Sequence, residues 1–202
     1  MLGLFFLKLK IFILRLYHKL FQYFLNSYLF SSLTTNDNDL KNFFSNFRKN
    51  YKWVELIKIG LDRDGAYFIP DDLKDISYCF SPGVSDICDF ELSLANDYGI
   101  HSFMIDYSVD SPPVSHDLFD FDKLFLSSVK KKNSTTLDEW INTKIPNYQD
   151  DLILQIDIEG AEYEVFNNLQ NFYLKKFRII VIEFHFLNNL ILKNKFYKMN
   201  NT

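Results

Sequence analysis

Carboxylates and one histidine stand at or near the ends of three apolar runs in this 202-residue chain, where a folded protein could use them for chemistry. The residues are Asp106, Asp157, Glu159, Glu183 and His185. One carboxylate after a strand is more often a helix cap or a surface charge, but the carboxyl ends of parallel strands share one edge of a sheet. Side chains gathered there could accept hydrogen bonds from hydroxyl groups, attract a cationic ligand and take up a proton near neutral pH.

The turn after the first run lacks a glycine-rich phosphate loop. Residues 81–89 (SPGVSDICD) contain one glycine, Gly83, whereas a dinucleotide site uses G-x-G-x-x-G and a phosphate loop G-x-x-x-x-G-K-[ST]. The carboxylates instead suit a ligand that carries a ribose diol, an ammonium group and a sulfonium. S-adenosylmethionine fits this set of side chains better than NAD does.

The elements that must position these residues alternate between strands and helices from residue 51 onward. Strands are predicted at 78–83, 101–106, 122–127, 152–158 and 178–186, and helices at 89–98, from Thr136, and at 161–169. Asp89 is the expected N-cap of the first helix, and Gly99 is placed to follow its last turn. Thr135 or Thr136 is expected to cap the second helix. Near-continuous Ile, Leu and Val runs between helices predict an α/β fold with a mostly parallel sheet that is buried on both faces.

The first 30 residues are apolar but interrupted by basic side chains. Charges between Lys8 and Lys19 leave no run of the roughly 18–20 apolar residues that a spanning helix needs. On a helical wheel most of the polar residues fall on one side, which is typical of a basic amphipathic helix lying on a membrane surface. A helix docked on protein and a true membrane span are the alternatives.

Four segments are therefore expected along the chain. They are an amphipathic helix at 1–33, a linker with a short helix (Leu40 to Phe47) at 34–50, the main α/β domain at 51–190, and a polar tail at 191–202.

Composition limits the partners and the location. A formal net charge of −4 disfavours nucleic acid, because a binder must neutralise phosphates with basic side chains. Cys79 and Cys88 lack the spacing of zinc ligands, and we expect reduced thiols, one in the core and one near a loop. A reducing cytoplasm fits them best, and the amphipathic helix would hold the protein at the inner face of the cytoplasmic membrane.

Several short motifs occur in a characteristic order. They are Asp64–Tyr67 (DGAY) with Ile69–Asp72, Cys79–Asp86 with Asp89–Glu91, Phe103–Asp110 with Pro112–Pro113, Thr136–Trp140, Leu154–Glu162 (LQIDIEGAE) and Ile182–His185. In this order they resemble the FkbM-like S-adenosylmethionine-dependent methyltransferases. The D-I-E-G-A-E block is the specific part, and D-G-A-Y alone would be weak.

The resemblance implies a Rossmann-like methyltransferase sheet with S-adenosylmethionine across the ends of its first two strands. Pro82, Gly83, Val84 and Asp86 would line the methionine end of the cofactor, Glu91 would support that loop, and Asp106 would hold the ribose. Asp157 and Glu159 would face the reacting centre, with Glu183 and His185 beside it. The acceptor would be a hydroxyl group of a sugar, a glycan precursor or another small metabolite.

Two departures from the family pattern stand out. Ala66 replaces a usual glycine, and the chain ends at Thr202, where the family continues with two more strands. The resemblance thus implies a sheet that lacks its C-terminal strands. A catalytically inactive, membrane-associated remnant of such an enzyme is the alternative function.

The expected chemistry is removal of the acceptor's proton during an in-line methyl transfer. Either His185 or Asp157 is the expected base. Glu183 could orient the imidazole, because residues 183 and 185 share one face of a strand. A metal held by Asp157 and Glu159 is possible, but no ligand spacing demands one, and none is predicted. Glu162 and Glu164 are expected to be solvent-exposed.

Overall fold

The computed structural model describes residues 15–21, 23–24, 33–49, 51–169 and 171–193. The chain divides into two compact units, one of residues 1–51 with 187–201 and one of residues 52–186.

In the first unit, residues 15–21 and 23–24 are helical, and helix α1 spans Asp37–Lys49. Acidic residues in the first turn of α1 and basic residues in its last turn favour both ends of this helix, which is longer than the predicted Leu40 to Phe47. A 3₁₀ helix, Leu187–Ile191, joins this unit, and the Thr35 hydroxyl donates to the Leu190 carbonyl at 2.6 Å.

Much of the predicted amphipathic helix, together with nearly all of the polar tail, lies outside the described residues. Within the described ranges, no helix is both long enough and apolar enough to cross a bilayer. A membrane-surface role for residues 1–30 stays a prediction.

The second unit is built on a five-stranded parallel sheet. The strands of the whole unit are β1 (Leu56–Ile59), β2 (Tyr67–Pro70), β3 (Tyr78–Pro82), β4 (His101–Ile105), β5 (Phe119–Asp122), β6 (Phe125–Leu126), β7 (Ser134–Thr135), β8 (Leu152–Ile156) and β9 (Phe177–Ile182). The main sheet has the order β5-β4-β3-β8-β9, β1 and β2 form an antiparallel hairpin, and β6 pairs with β7. All four pairings within the main sheet are parallel, as the apolar runs predicted.

Both faces of this sheet are buried. Helices α2 (Asp89–Tyr98), α3 (Leu137–Lys144), α4 (Glu162–Asn168) and α5 (Asn171–Leu174) connect the strands. Every residue of β8 is buried, and alternate side chains enter different cores. Leu154 belongs to the core that contains Trp140, whereas Ile153 belongs to the core that contains Phe90. A Rossmann-like sheet with its two apolar faces covered is therefore confirmed.

The predicted third strand, 122–127, has the wrong bounds, because it covers the end of β5 and all of β6. The chain forms β5 beside β4 and then starts the separate short strand β6. The alternating sequence of β5 (FDFD) hides it from an apolar-run criterion. Its Asp120 and Asp122 both pair with Lys144, at 2.9 and 2.7 Å, so one ammonium group offsets part of the negative charge of this strand.

The start of α2 also differs from the prediction. Cys88 occupies the N-cap position without a side-chain cap bond, and Asp89 lies in the first turn. The Asp89 carboxylate instead accepts two hydrogen bonds from Arg63, at 2.5 and 2.9 Å. Gly99 ends the helix in a left-handed conformation as predicted, and Thr136 caps α3.

Asp89→Asn is expected to lower the thermal midpoint by roughly 2–4 °C at pH 7. The hydrogen bond from Arg63 holds the pKa of Asp89 below its ordinary value, so the charged form stabilises the folded state. That stabilisation is present above the unfolded pKa of about 3.9 and is lost as the pH falls through the lower folded pKa. Thermal melts between pH 7 and pH 3 should show the two proteins converging at the acid end. Asp97→Asn, on the exposed side of the same helix, is the control and should not show this pH-dependent loss.

Candidate active site

A cleft lies at the carboxyl edge of the sheet, where the strand order reverses between β3 and β8. Its volume is about 450 Å³, within the range of roughly 300–1,000 Å³ of small-molecule sites. The loops that follow β3, β4 and β8 supply Gly83, Asp106 and Asp157 to its wall, and the D-G-A-Y segment supplies Gly65 and Tyr67. Three of the predicted strand-end residues thus share one cavity.

Gly83 brings the ends of these strands into contact. Its φ is 92°, and a Cβ atom added to it would lie 1.6 Å from the carbonyl oxygen of Asp157. Its N–H donates to the Ile105 carbonyl at 2.9 Å, and the Asp157 N–H donates to the Pro82 carbonyl at 3.3 Å. A side chain at position 83 would push the β3 and β8 loops apart.

Asp106 organises the loops beside the cleft. Its Oδ2 accepts from the Ser85 N–H at 2.8 Å, and its Oδ1 accepts from the N–H and hydroxyl of Ser108, both at 2.7 Å. Ser85 has a left-handed backbone, with φ of 49°, which turns its N–H toward the carboxylate. A carboxylate has about four lone-pair positions, so Oδ2 keeps one for a ligand hydroxyl.

A buried polar group lies beneath the loop that follows β3. The Ser81 hydroxyl is hydrogen bonded to Oε1 of Glu91 and to Oε1 of Gln155, the latter at 2.6 Å. Burial raises the pKa of Glu91, although the bond from Ser81 acts in the opposite direction. Glu91 therefore braces the end of β3 rather than bonding to the loop itself.

His185 meets two of the predicted carboxylates at the other side of the site. Its Nε2 lies 3.6 Å from Asp157 Oδ1 and 3.5 Å from Glu159 Oε2. We call these three residues the Asp–Glu–His cluster. One donor atom of each lies within 4.8 Å of the others, so the cluster could hold a metal ion. A metal held by Asp157 and Glu159 was left open by the sequence, and the structure adds His185 as a third donor.

Glu162 orients the histidine, which sequence reasoning missed. Its side chain is fully buried, and Oε1 lies 2.9 Å from His185 Nδ1 while accepting from the Ile158 and Gly160 N–H groups at 3.1 Å. The expectation of solvent exposure was wrong because the 157–160 segment folds over the start of α4. Glu159 and Gly160 both have left-handed φ values, 54° and 98°, in this turn. Glu164, in contrast, is exposed as expected.

Glu183 does not orient His185. Strand β9 ends at Ile182, so the period-2 argument does not apply to the turn that follows. The Glu183 carboxylate instead accepts from the Tyr67 hydroxyl at 3.4 Å. Tyr67 lines the cleft. Its pKa is raised mainly by burial and, to a smaller extent, by the charges of Asp157 and Glu183.

The closely spaced carboxylates shift the pKa values of Asp157 and His185. Burial, together with the charges of Glu183 and Glu159, raises the pKa of Asp157 to about 6, although His185 opposes the shift. Partial burial would lower the pKa of His185, but its bond to Glu162 and the neighbouring carboxylates raise it. A carboxylate that titrates near neutral pH, as Asp157 does, can act as a general base.

The remaining predicted residues divide into two sets. Val84, Asp86, Glu91 and Glu159 line the cleft. Pro82 is buried at the end of β3 and does not line the cleft. Its carbonyl accepts a hydrogen bond from the Asp157 N–H and so supports the cleft wall from behind.

Cys79 and Cys88 are free thiols and both are buried. Burial raises the pKa of each thiol, to about 11 for Cys88.

A family model described as the methyltransferase FkbM domain matches residues 92–200. No curated protein and no solved structure matches the chain.

Proposed function

Because the chain belongs to the FkbM methyltransferase family, we propose that it transfers a methyl group from S-adenosylmethionine to a hydroxyl oxygen of a sugar or another small metabolite. The observation that carries the proposal is one cleft with Asp106 on its wall and the Asp–Glu–His cluster at its edge. Such a cleft can hold a nucleoside and place its reactive end beside groups that remove a proton.

The chemistry of the cleft fits this cofactor. Asp106 can accept a ribose hydroxyl at Oδ2, and Gly83 leaves the loop backbone without a side chain at the junction of β3 and β8. The carboxylates of Asp157 and Glu159 complement positive charge on an ammonium or sulfonium group. The segment lacks a pyrophosphate cradle, as S-adenosylmethionine has no phosphate to bind.

The protein's own part in the reaction is alignment and proton removal. When bound, S-adenosylmethionine supplies a methyl group that its sulfonium already activates toward displacement. The acceptor hydroxyl would lie at the Asp–Glu–His cluster, where its proton would pass to the Asp157 carboxylate or to His185 Nε2 as the oxygen–methyl bond forms and the sulfur–methyl bond breaks. Glu162 holds the ring by Nδ1 and so directs Nε2 toward this position.

Asp106→Asn is expected to weaken S-adenosylmethionine binding about 10- to 100-fold. An amide nitrogen cannot accept a ribose hydroxyl, and a hydrogen bond to a charged group contributes about 1.5–3 kcal/mol. Isothermal titration calorimetry of the full chain with S-adenosylmethionine and its demethylated product measures both affinities.

Asp110→Asn is the matched control for that measurement. Asp110 lies four residues further along the same loop, is 91% exposed and pairs with Lys123, away from the cleft. Its substitution should leave both affinities unchanged. Wild-type protein that binds neither compound would contradict the proposed function.

A further inference from the structure

We propose that Asp157, Glu159 and His185 bind a divalent cation of the Mn²⁺ type, which holds the acceptor hydroxyl at the edge of the cleft. The inference rests on the proposed function and refines it. The three side chains come from the turn after β8 and the turn after β9, and their donor atoms converge within 4.8 Å. Nε2 lies 3.6 Å from Asp157 Oδ1 and 3.5 Å from Glu159 Oε2, so one ion between them can contact all three donor atoms after small side-chain rotations.

The bond between His185 and Glu162 points independently to a ligand. A metal-binding histidine usually donates its second ring N–H to a carboxylate, which fixes the tautomer and leaves the other nitrogen free to bind. Glu162 Oε1 lies 2.9 Å from Nδ1, and when the neutral ring carries its proton on Nδ1, the Nε2 lone pair faces Asp157 and Glu159. Glu162 is not a member of the cluster, and neither carboxylate oxygen of this residue is accessible to a ligand.

The second oxygen of Glu162 strengthens this argument. The side chain is fully buried, and Oε2 has no hydrogen-bond partner among the described residues. A buried carboxylate with an unpaired oxygen is costly unless positive charge lies nearby. A cation bound to His185 Nε2 would place that charge on the far side of the same imidazole.

The charge balance around the cluster also favours a cation. Four carboxylates, those of Asp157, Glu159, Glu162 and Glu183, act on this small volume. Within the described ranges, every ion pair of a lysine or arginine involves other carboxylates, and His185 is the basic partner here. Even with a protonated imidazole the group carries excess negative charge.

The donor set indicates which ion fits. Two carboxylates and one imidazole form a mixed oxygen and nitrogen set, whereas Mg²⁺ and Ca²⁺ prefer oxygen alone. Mn²⁺ and Zn²⁺ both accept these donor types, and the two carboxylates favour Mn²⁺. Three protein ligands leave positions for water and for a substrate hydroxyl, whose pKa a bound cation lowers. Glu183, the carboxylate outside the three ligands, then remains to accept the proton of that hydroxyl.

Titration of the full chain with Mn²⁺ alone tests the site, with free Mn²⁺ followed by electron paramagnetic resonance. Wild-type protein should bind one ion per chain, and Asp157→Asn and His185→Gln should each weaken binding at least tenfold. Glu159→Gln should also weaken binding, and because this side chain is 86% exposed its replacement leaves the core intact. Glu164→Gln, an exposed carboxylate on α4, is the control and should bind as wild type does.

Two results would overturn the proposal. One is a wild-type protein that binds no Mn²⁺ up to millimolar concentration, and the other is unchanged affinity in the Glu159→Gln variant. Calorimetry with S-adenosylmethionine in the presence of a chelator separates this outcome from failure of the proposed function. A chain that binds the cofactor but no cation would leave methyl transfer in place and remove only the ion.

Discussion

Gly83→Ala should abolish measurable S-adenosylmethionine binding and lower the thermal midpoint by roughly 10 °C or more. A Cβ at this position would lie 1.6 Å from the Asp157 carbonyl oxygen, a contact that backbone must move to relieve. Because that carbonyl belongs to the turn after β8, the movement separates the two loops that form the cleft. The positive φ of 92° adds strain for any residue with a side chain.

Gly99→Ala distinguishes the steric clash from the conformational strain. Gly99 also has a left-handed φ, 69°, but no atom lies within 4 Å of an added Cβ. We expect a cost of about 1–2 kcal/mol from the backbone alone, a fall of only a few degrees, and normal cofactor binding. Thermal melts and calorimetry on both variants measure the difference. Equal melting temperatures, with cofactor binding retained in both, would contradict the close approach of the β3 and β8 loops.

Much of the cleft could be predicted from the sequence, because its residues follow the ends of parallel strands. Buried parallel strands have long apolar runs, and their carboxyl ends must lie at one edge of the sheet. Residues that follow such runs, such as Gly83, Asp106 and Asp157, therefore come together whatever the detailed loop structure. The apolar sequence of β8 made this strand easy to recognise.

Glu162 shows what the sequence could not reveal. Its position near a helix start favours exposure, since a carboxylate there is stabilised by the helix dipole in water. Burial requires the turn at 157–160 and a histidine 23 residues further along the chain. Neither the turn nor the partner has a local signature, although the glycine before the helix was a signal that the chain turns there.

The exact end of a strand is a second feature that could not be predicted from the sequence. Predicting β9 as far as Phe186 placed Glu183 and His185 on one strand face, whereas the strand stops at Ile182. Tyr163 accounts for part of the difference, because its hydroxyl donates to the His185 carbonyl at 2.6 Å and holds the turn against α4. Such a contact between distant segments overrides the local β propensity of an apolar sequence.

His185→Gln is expected to lower the methyl-transfer rate about 10²- to 10⁴-fold while leaving S-adenosylmethionine affinity unchanged. The histidine is outside the cleft wall, so the cofactor should bind normally. Its Nε2 faces the reacting edge, where it either accepts the hydroxyl proton or holds the cation. A glutamine has neither the basicity of imidazole nor its fixed ring geometry. Transfer of a radiolabelled methyl group to a panel of sugars, followed on the first acceptor that wild-type protein methylates, gives the rate.

Glu162→Gln should produce a smaller loss, about 10- to 100-fold, because the ring remains but its orientation and basicity are less well controlled. Glu164→Gln changes an exposed carboxylate of the same helix and should methylate the acceptor at the wild-type rate. Comparison of the three rates tests whether Glu162 acts through His185, because general damage to α4 would lower the rates of both glutamate variants alike. If His185→Gln kept the full rate, the imidazole could be neither the base nor a cation ligand, and proton removal would have to be assigned to a carboxylate, Asp157 or Glu183.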